Sequence, residues 1–283
     1  MRLLTWNVQW FCGIDDRVSV ERVVDAARAF TDFDVLCLQE VAVDWPRLTG
    51  CPDFDQVARL ESLLPGYTVC FGAAVDELGR HGRRQRFGNL IATRLPLLAV
   101  QHHPLPWPDD HGVRTMPRMC SVATVATGQG PLRVMTAHLE FFSARQRMAQ
   151  ARELVDLHAR ACAQAARPPL DDESGAPFQN KPHTRSAVLC GDFNLSPQEP
   201  EYPVLQADAG PDAPPFVDAW TLAHGGTPHV PTFRVYDKRY GPDPVACDFI
   251  FVSADLRARV RRVAVESDTK VSDHQPVLLE LDG

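Results

Sequence analysis

Short apolar runs recur along the chain, and many of them end in a polar residue. Residues 3–7, 34–38 and 187–190 are almost continuously apolar. Runs of this kind suit strands covered on both faces. Further strands are expected at 67–71, 89–92, 97–100, 122–125, 132–137, 248–252, 260–265 and 276–281. Val20, Val23, Val24 and Ala27 fall at helical spacing, which predicts an amphipathic helix over 18–30. Residues 144–166, rich in Ala, Arg and Gln, form the strongest helical stretch, and 53–64 a short one. Residues 103–118 read as a Pro-rich loop and 167–185 as an exposed loop. Residues 197–216 hold six prolines and are expected to be irregular or a broken helix.

Strands and helices mix throughout, and no shift in composition marks a linker. The expectation is one α/β domain over 1–283, with two sheets packed face to face and helices outside. Hydrophobic residues make up 45% of the chain, enough for a sizeable core without staples. The net charge of -7 argues against coating nucleic acid by bulk charge, though a local basic groove stays open. The eight cysteines form no CxxC pair and several lie inside apolar runs, so buried thiols are expected. No signal peptide and no run of about 18 apolar residues is seen, which predicts a cytoplasmic protein without a membrane span.

The polar residues that end the runs carry the chemistry. Ser272-Asp273-His274 places an acid and an imidazole at a strand entrance. Gly191-Asp192-Phe193-Asn194 follows a buried run, with Gly allowing a sharp exit from the sheet. Glu40 ends another run, Asn7 a third, and His138 a fourth. Asp248 opens an apolar run, and a buried carboxylate there needs a partner such as His274. Each alone reads as an ordinary turn, a solvated acid or a satisfied core histidine. Together they form an ordered set.

That set resembles the endonuclease/exonuclease/phosphatase superfamily, which has the fold of deoxyribonuclease I. The matching strings are Thr5-Trp6-Asn7, Leu38-Gln39-Glu40-Val41, Thr136-Ala137-His138-Leu139, Gly191-Asp192-Phe193-Asn194-Leu195, Cys247-Asp248-Phe249-Ile250-Phe251 and Ser272-Asp273-His274-Gln275-Pro276. The resemblance implies a four-layered α-β-β-α sandwich with a site at one edge of the paired sheets. It implies that Glu40, aided by Asn7, Asp192 and Asp273, holds Mg²⁺ or Mn²⁺. It implies that Asn194 and His138 contact the scissile phosphate, and that His274, oriented by Asp248, completes the water-activating side. His274 is favoured as base, with Asp192 the alternative.

Departures narrow the branch. Exonuclease III-like nucleases carry Tyr in place of His138. Inositol polyphosphate 5-phosphatases continue differently after Gly191-Asp192 and around Asp248. In deoxyribonuclease I the family His pairs with an upstream Glu, whereas residues 80–94 hold no acid, which leaves the partner of His138 open. Arg80, Arg83, Arg84, Arg86 and Arg94 form the densest basic segment, either a phosphate track or a solvated loop. Arg118 is expected to contact phosphate through a bidentate fork. Arg145 and Arg147 are candidate helpers, and Trp10 could stack on a base, whereas Trp6 reads as core. The function expected is metal-dependent hydrolysis of a phosphoester, first of nucleic acid (DNA or RNA). The alternatives are a small or lipid phosphate as substrate, or an inactive binding module.

Overall fold

The computed structural model describes residues 1–51, 54–79, 82–171 and 174–282. Along the chain run β1 (Arg2–Asn7), α1 (Val20–Phe30), β2 (Val35–Val43), α2 (Gln56–Leu63), β3 (Thr68–Leu78) and β4 (Arg84–Thr93). Then come β5 (Leu97–Pro104), β6 (Met119–Thr127), β7 (Gly130–His138), α3 (Ala144–Ala166), β8 (Ala187–Asp192) and α4 (Glu201–Leu205). The chain closes with β9 (Phe216–Asp218), α5 (Ala219–His224), β10 (Asp248–Ser253), β11 (Val260–Val265) and β12 (Val277–Leu281).

Among the described residues, twelve strands form two six-stranded mixed sheets, ordered β11-β12-β1-β2-β4-β3 and β5-β6-β7-β8-β10-β9. The continuous apolar runs follow from the layering. Successive strand residues point to opposite faces, and here both faces are covered. Leu3, Val35 and Cys37 pack between the sheets against Val134, Val188, Cys190 and Ile250. Their neighbours Leu4, Trp6, Leu36 and Leu38 face outward onto Val20, Val23, Val24 and Ala27 of α1 and Leu60 of α2. Leu189, Phe249 and Phe251 face outward from the second sheet onto Leu154 and Leu157 of α3. The result is the four-layered α/β sandwich expected. Ser19, Asp55 and Ser143 cap the first three helices by accepting an N–H in the first turn.

Several elements differ from expectation. Strands β3 and β4 are far longer than their apolar cores, and pair out to Leu78 and Arg84. Arg84 and Arg86 therefore lie on a strand, not in a loop; Arg80 lies outside the described residues. The six-proline stretch holds α4, a helix of only five residues with Pro200 as its N-cap and Pro203 inside it, while the other four prolines lie in irregular chain. Strand β9 and helix α5 were not anticipated; both are too short for a periodic signal. Asp53, within the short helix expected at 53–64, and Asp172 and Glu173, in the exposed loop, also lie outside the described residues. Of the eight cysteines, seven are buried and Cys70 is half-buried. Among the described residues, no helix is long and apolar enough to cross a membrane.

Strand direction places the candidate residues together. β1 and β2 run parallel with Asn7 opposite Gln39, and β7 and β8 run parallel with His138 opposite Asp192. β10 runs antiparallel to β8, so its first residue, Asp248, faces Asp192. β12 runs antiparallel to β1, with Val277 opposite Thr5, so Asp273 and His274 lie just beyond the end of β1. Residues scattered over the sequence thus meet at one edge of the sandwich. Gln39 spans the two sheets there, donating to Thr5 Oγ1 (3.2 Å) on one and Thr136 Oγ1 (2.9 Å) on the other.

Candidate active site

A bulge in β2, between Leu38 and Val41, breaks its register with β4. Glu40 sits in that bulge with φ of 62°, a left-handed conformation uncommon for a side chain of this size. Bulges of this kind re-aim a side chain, and Glu40 points into a cleft of about 400 Å³ with His138, Asp192, Asn194, Asp273 and His274. Gly191 has a different task from the sharp exit expected of it. It lies within β8, where an added Cβ would come 1.9 Å from the Ala137 carbonyl oxygen, so no other residue fits. Asn194 turns the chain afterwards with φ of 52°.

Asn7 Nδ2 donates to Glu40 Oε1 (3.1 Å) and Asp192 Oδ2 (2.9 Å). One amide thus bridges carboxylates carried by different sheets. The other oxygen of Asp192 accepts from the Asn194 N–H at 2.9 Å. Burial raises the pKa of Glu40 and of Asp192, and pushes Asp273 up to about 6. The buried carboxylates of Asp192 and Asp273 and the half-buried one of Glu40 crowd one floor, and that oxygen donor set fits a hard divalent ion such as Mg²⁺ or Mn²⁺.

The two histidines are driven in opposite directions. Burial, then the charges of Arg118 and His274, hold His138 well below the ordinary imidazole value. Burial also disfavours the His274 cation, but the carboxylates of Asp248 and Asp192 outweigh it and hold the pKa well above the ordinary value. His274 Nδ1 is 2.8 Å from Asp248 Oδ2, which leaves Nε2 facing Asp192 Oδ2 at 3.7 Å. The expected dyad is therefore formed. Trp6, fully buried, adds a brace by donating from Nε1 to the His274 carbonyl (2.9 Å). Asp192, Cys247, Asp248 and His274 also offer ligand atoms within 4.8 Å of one another, a group that could hold an ion. Its Cys247 thiol is kept protonated by burial, and Asp248 is engaged with His274. The oxygen set around Glu40 is the better match for a hard cation.

His138 Nε2 lies 3.5 Å from Asp192 and 3.9 Å from Glu40, so these acids stand nearest to it in place of an upstream Glu. Arg118 lines the cleft, but its Nε donates to the buried Glu140 at 3.1 Å, so that edge is not free for a bidentate fork. Its buried Nη1 finds no partner among the described residues. Arg147 is buried away from the cleft and binds Glu199, Glu201 and the carbonyls of Glu140 and Phe141; Arg145 binds Asp109 at the surface. The described arginines of the basic segment are ion-paired: Arg84 with Asp76, Arg86 with Asp55, Arg83 with Asp44, and Arg94 with Asp32 and Asp34.

Sequence reasoning missed Gln9, Glu140 and the aromatic wall of Phe141, Phe142, Phe233 and Tyr240. Glu140 was within reach, since it is a charged residue just past a buried strand end. Gln9 was not. It opens a turn in which Gln9, Trp10 and Phe11 all have positive φ (44°, 45° and 62°). Such strain persists where surrounding structure enforces it, and Gln56 does so by donating to the Trp10 carbonyl (3.0 Å). The turn aims Gln9 Nε2 at Asp273 Oδ2 (2.8 Å), while its buried Oε1 has no partner among the described residues. Removing such a support for a ligand costs about tenfold or more in metal affinity. Gln9→Leu is therefore expected to weaken Mn²⁺ binding about tenfold in a calorimetric titration, with the melting temperature of the metal-free protein little changed. Equal affinity would reduce Gln9 to packing.

Residues 4–274 match the Endonuclease/Exonuclease/phosphatase family. None of the curated proteins matches the sequence. Among solved structures, an endonuclease/exonuclease/phosphatase from Bacteroides vulgatus is 18% identical, with a TM-score of 0.68 over 99% of this chain and 98% of that one. The mannosyl-6-phosphatase of Bacteroides thetaiotaomicron VPI-5482 is 19% identical, with a TM-score of 0.65 over 100% of both chains. A Neisseria 3′ phosphatase bound to product DNA hairpin is 21% identical, with a TM-score of 0.62 over 100% of both. At these identities the likeness is one of fold. With the match running over nearly the whole length, the chain belongs to the endonuclease/exonuclease/phosphatase family.

Proposed function

We propose that this protein is a divalent-metal-dependent hydrolase that binds one small phosphoester group in the cleft and transfers it to water. The observation that carries the reading is the convergence of Glu40, Asp192 and Asp273 with the Asp248–His274 dyad on one cleft floor. Glu40 and Asp273, with Asn7 and Asp192 in support, would hold Mg²⁺ or Mn²⁺. Such an ion, when bound, neutralises phosphate charge and stabilises the leaving oxygen. His274 is the proton-handling group: Asp248 fixes its tautomer and steadies its cation, so Nε2 serves the cleft. Asp192, bonded to Asn7 and Asn194, aligns the attacking water. Neutral His138 and the unpartnered Nη1 of Arg118 supply N–H donors to the phosphoryl oxygens. Asn194 is held by the Leu139 carbonyl through Nδ2 (2.9 Å) and borders the same space.

A volume of about 400 Å³ lies within the range of small-ligand sites. The described arginines of the basic strand are ion-paired, which weakens the case for a phosphate track along it. Nucleic acid remains the second reading, favoured by the fold shared with the Neisseria phosphatase that was solved with a DNA product. A panel of bis(p-nitrophenyl) phosphate, sugar phosphates, phosphoinositides, plasmid and short DNA, with Mg²⁺, Mn²⁺ or chelator, decides. Turnover of soluble esters that stops with chelator is expected. Turnover of DNA alone would transfer the assignment to the nuclease, and none with either ion would leave a binding module.

A further inference from the structure

Resting on that reading, we infer that the alcohol side of the substrate carries a planar unsaturated ring of nucleoside type, received by Phe142, Tyr240 and Arg114. The aromatic wall begins at the reacting centre. Phe233 stacks on the His274 ring, with centroids 4.3 Å apart and planes at 19°. Phe141 stands edge-on to both Phe233 and Tyr240, each at 6.4 Å, and Phe142 stands edge-on to Phe141 at 4.8 Å. The Arg114 guanidinium lies over the Phe142 ring, 4.5 Å from its centroid, and has no carboxylate partner among the described residues.

These rings are not finished core. Phe142 is 47% and Tyr240 48% exposed, although both border the cleft that holds the catalytic carboxylates. Exposed rings that cluster beside a cleft, rather than lying scattered singly, offer a contact for an occupant. A phosphate held at Glu40 and His274 would extend its alcohol along this wall. An acyl chain would gain burial there and nothing else. A planar ring gains edge or offset stacking against Phe142 and Tyr240 and the attraction of an unpaired guanidinium. The cleft volume accommodates a phosphate with one such unit.

The test separates ring recognition from catalysis. Adenosine 5′-monophosphate and ribose 5-phosphate share the same leaving oxygen and differ in the ring; each is used as the monoester and as its methyl diester. Dissociation constants are measured by calorimetry with Mn²⁺ on the His274→Asn protein, so turnover does not interfere. The ring-bearing ester should bind at least about tenfold more tightly, the scale of one stacked base. Phe142→Leu and Tyr240→Leu, added singly, should each shrink that ratio, and together bring it near one, with ribose 5-phosphate binding unchanged. Both positions are exposed, so melting temperatures should stay within a few degrees of the parent, at about the scale expected of surface substitutions. Equal binding of the two esters, a ratio indifferent to both substitutions, or octyl phosphate binding as tightly as the nucleotide would overturn the inference. A thymidine dinucleotide distinguishes the sources of the ring: tighter binding than the mononucleotide assigns a chain end, equal binding a free nucleotide. Wild-type turnover of the same esters reports separately on the hydrolase assignment, which fails only if none is cleaved.

Discussion

Glu40→Gln should lower kcat by about three orders of magnitude on whichever phosphoester the wild type cleaves. A bound divalent ion contributes several kcal/mol to stabilising the charge that develops in such a reaction, and about 4 kcal/mol corresponds to a thousandfold. Glu40 is the acid that the β2 bulge turns into the cleft, and the neutral amide keeps its shape while removing its charge. Asn7 donates to Glu40 Oε1 and Asp192 Oδ2 alike, so the substitution also disturbs the bridge between the sheets. The measurement is steady-state kinetics over a Mn²⁺ titration, with circular dichroism to confirm folding. The metal requirement should rise at least about tenfold along with the fall in kcat. Wild-type activity at low Mn²⁺ would remove Glu40 from the site.

His274→Ala should cost about two to four orders of magnitude in kcat, the usual contribution of a positioned acid or base, while leaving substrate affinity nearly unchanged. Asp248→Asn is the sharper probe, because it preserves size and leaves the imidazole in place. It removes the charge that holds His274 Nδ1 at 2.8 Å, and should lower kcat by about a hundredfold. It should also shift the pH profile, since the same carboxylate, with Asp192, raises the His274 pKa against the effect of burial. The limb of kcat against pH assigned to His274 should move to lower pH in Asp248→Asn. An unmoved limb with a reduced kcat would make Asp248 a packing residue, and an unchanged kcat in His274→Ala would pass the proton to Asp192.

Much of the architecture was legible because covered strands leave an unambiguous mark. Residues 3–7 and 187–190 could be read as doubly buried, and the α3 boundaries followed from its composition. The core residues of the site were legible for a related reason: Asn7, Glu40, His138 and Asp192 are polar groups just where an apolar run stops. What stayed hidden depends on tertiary closure. The extension of β3 and β4 is held by cross-strand ion pairs such as Arg84–Asp76, and nothing in a single stretch announces its partner. For the same reason the described arginines of the basic segment could not be recognised as paired. Gln9 was invisible because its role arises from a strained turn, and the aromatic wall because its members come from loops far apart in the chain. Arg118 does line the cleft, but the loss of its Nε to Glu140 could be known only once the loop after β7 had a position.

The residues gathered at the candidate site are divided between the two sheets. Asn7, Glu40 and Asp273 belong to one; His138, Asp192 and Asp248 belong to the other. The space between the two groups is therefore gauged by what fills the interior, where Cys37, Cys190 and Ala123 present small side chains. These residues act as shims. A bulkier one would wedge the sheets apart and lengthen the span from Glu40 to Asp192, and a smaller one would let it close. Gln39, bonded to Thr5 on one sheet and Thr136 on the other, ties the two across this interior, so a change in its thickness is expected to alter the span of the candidate site.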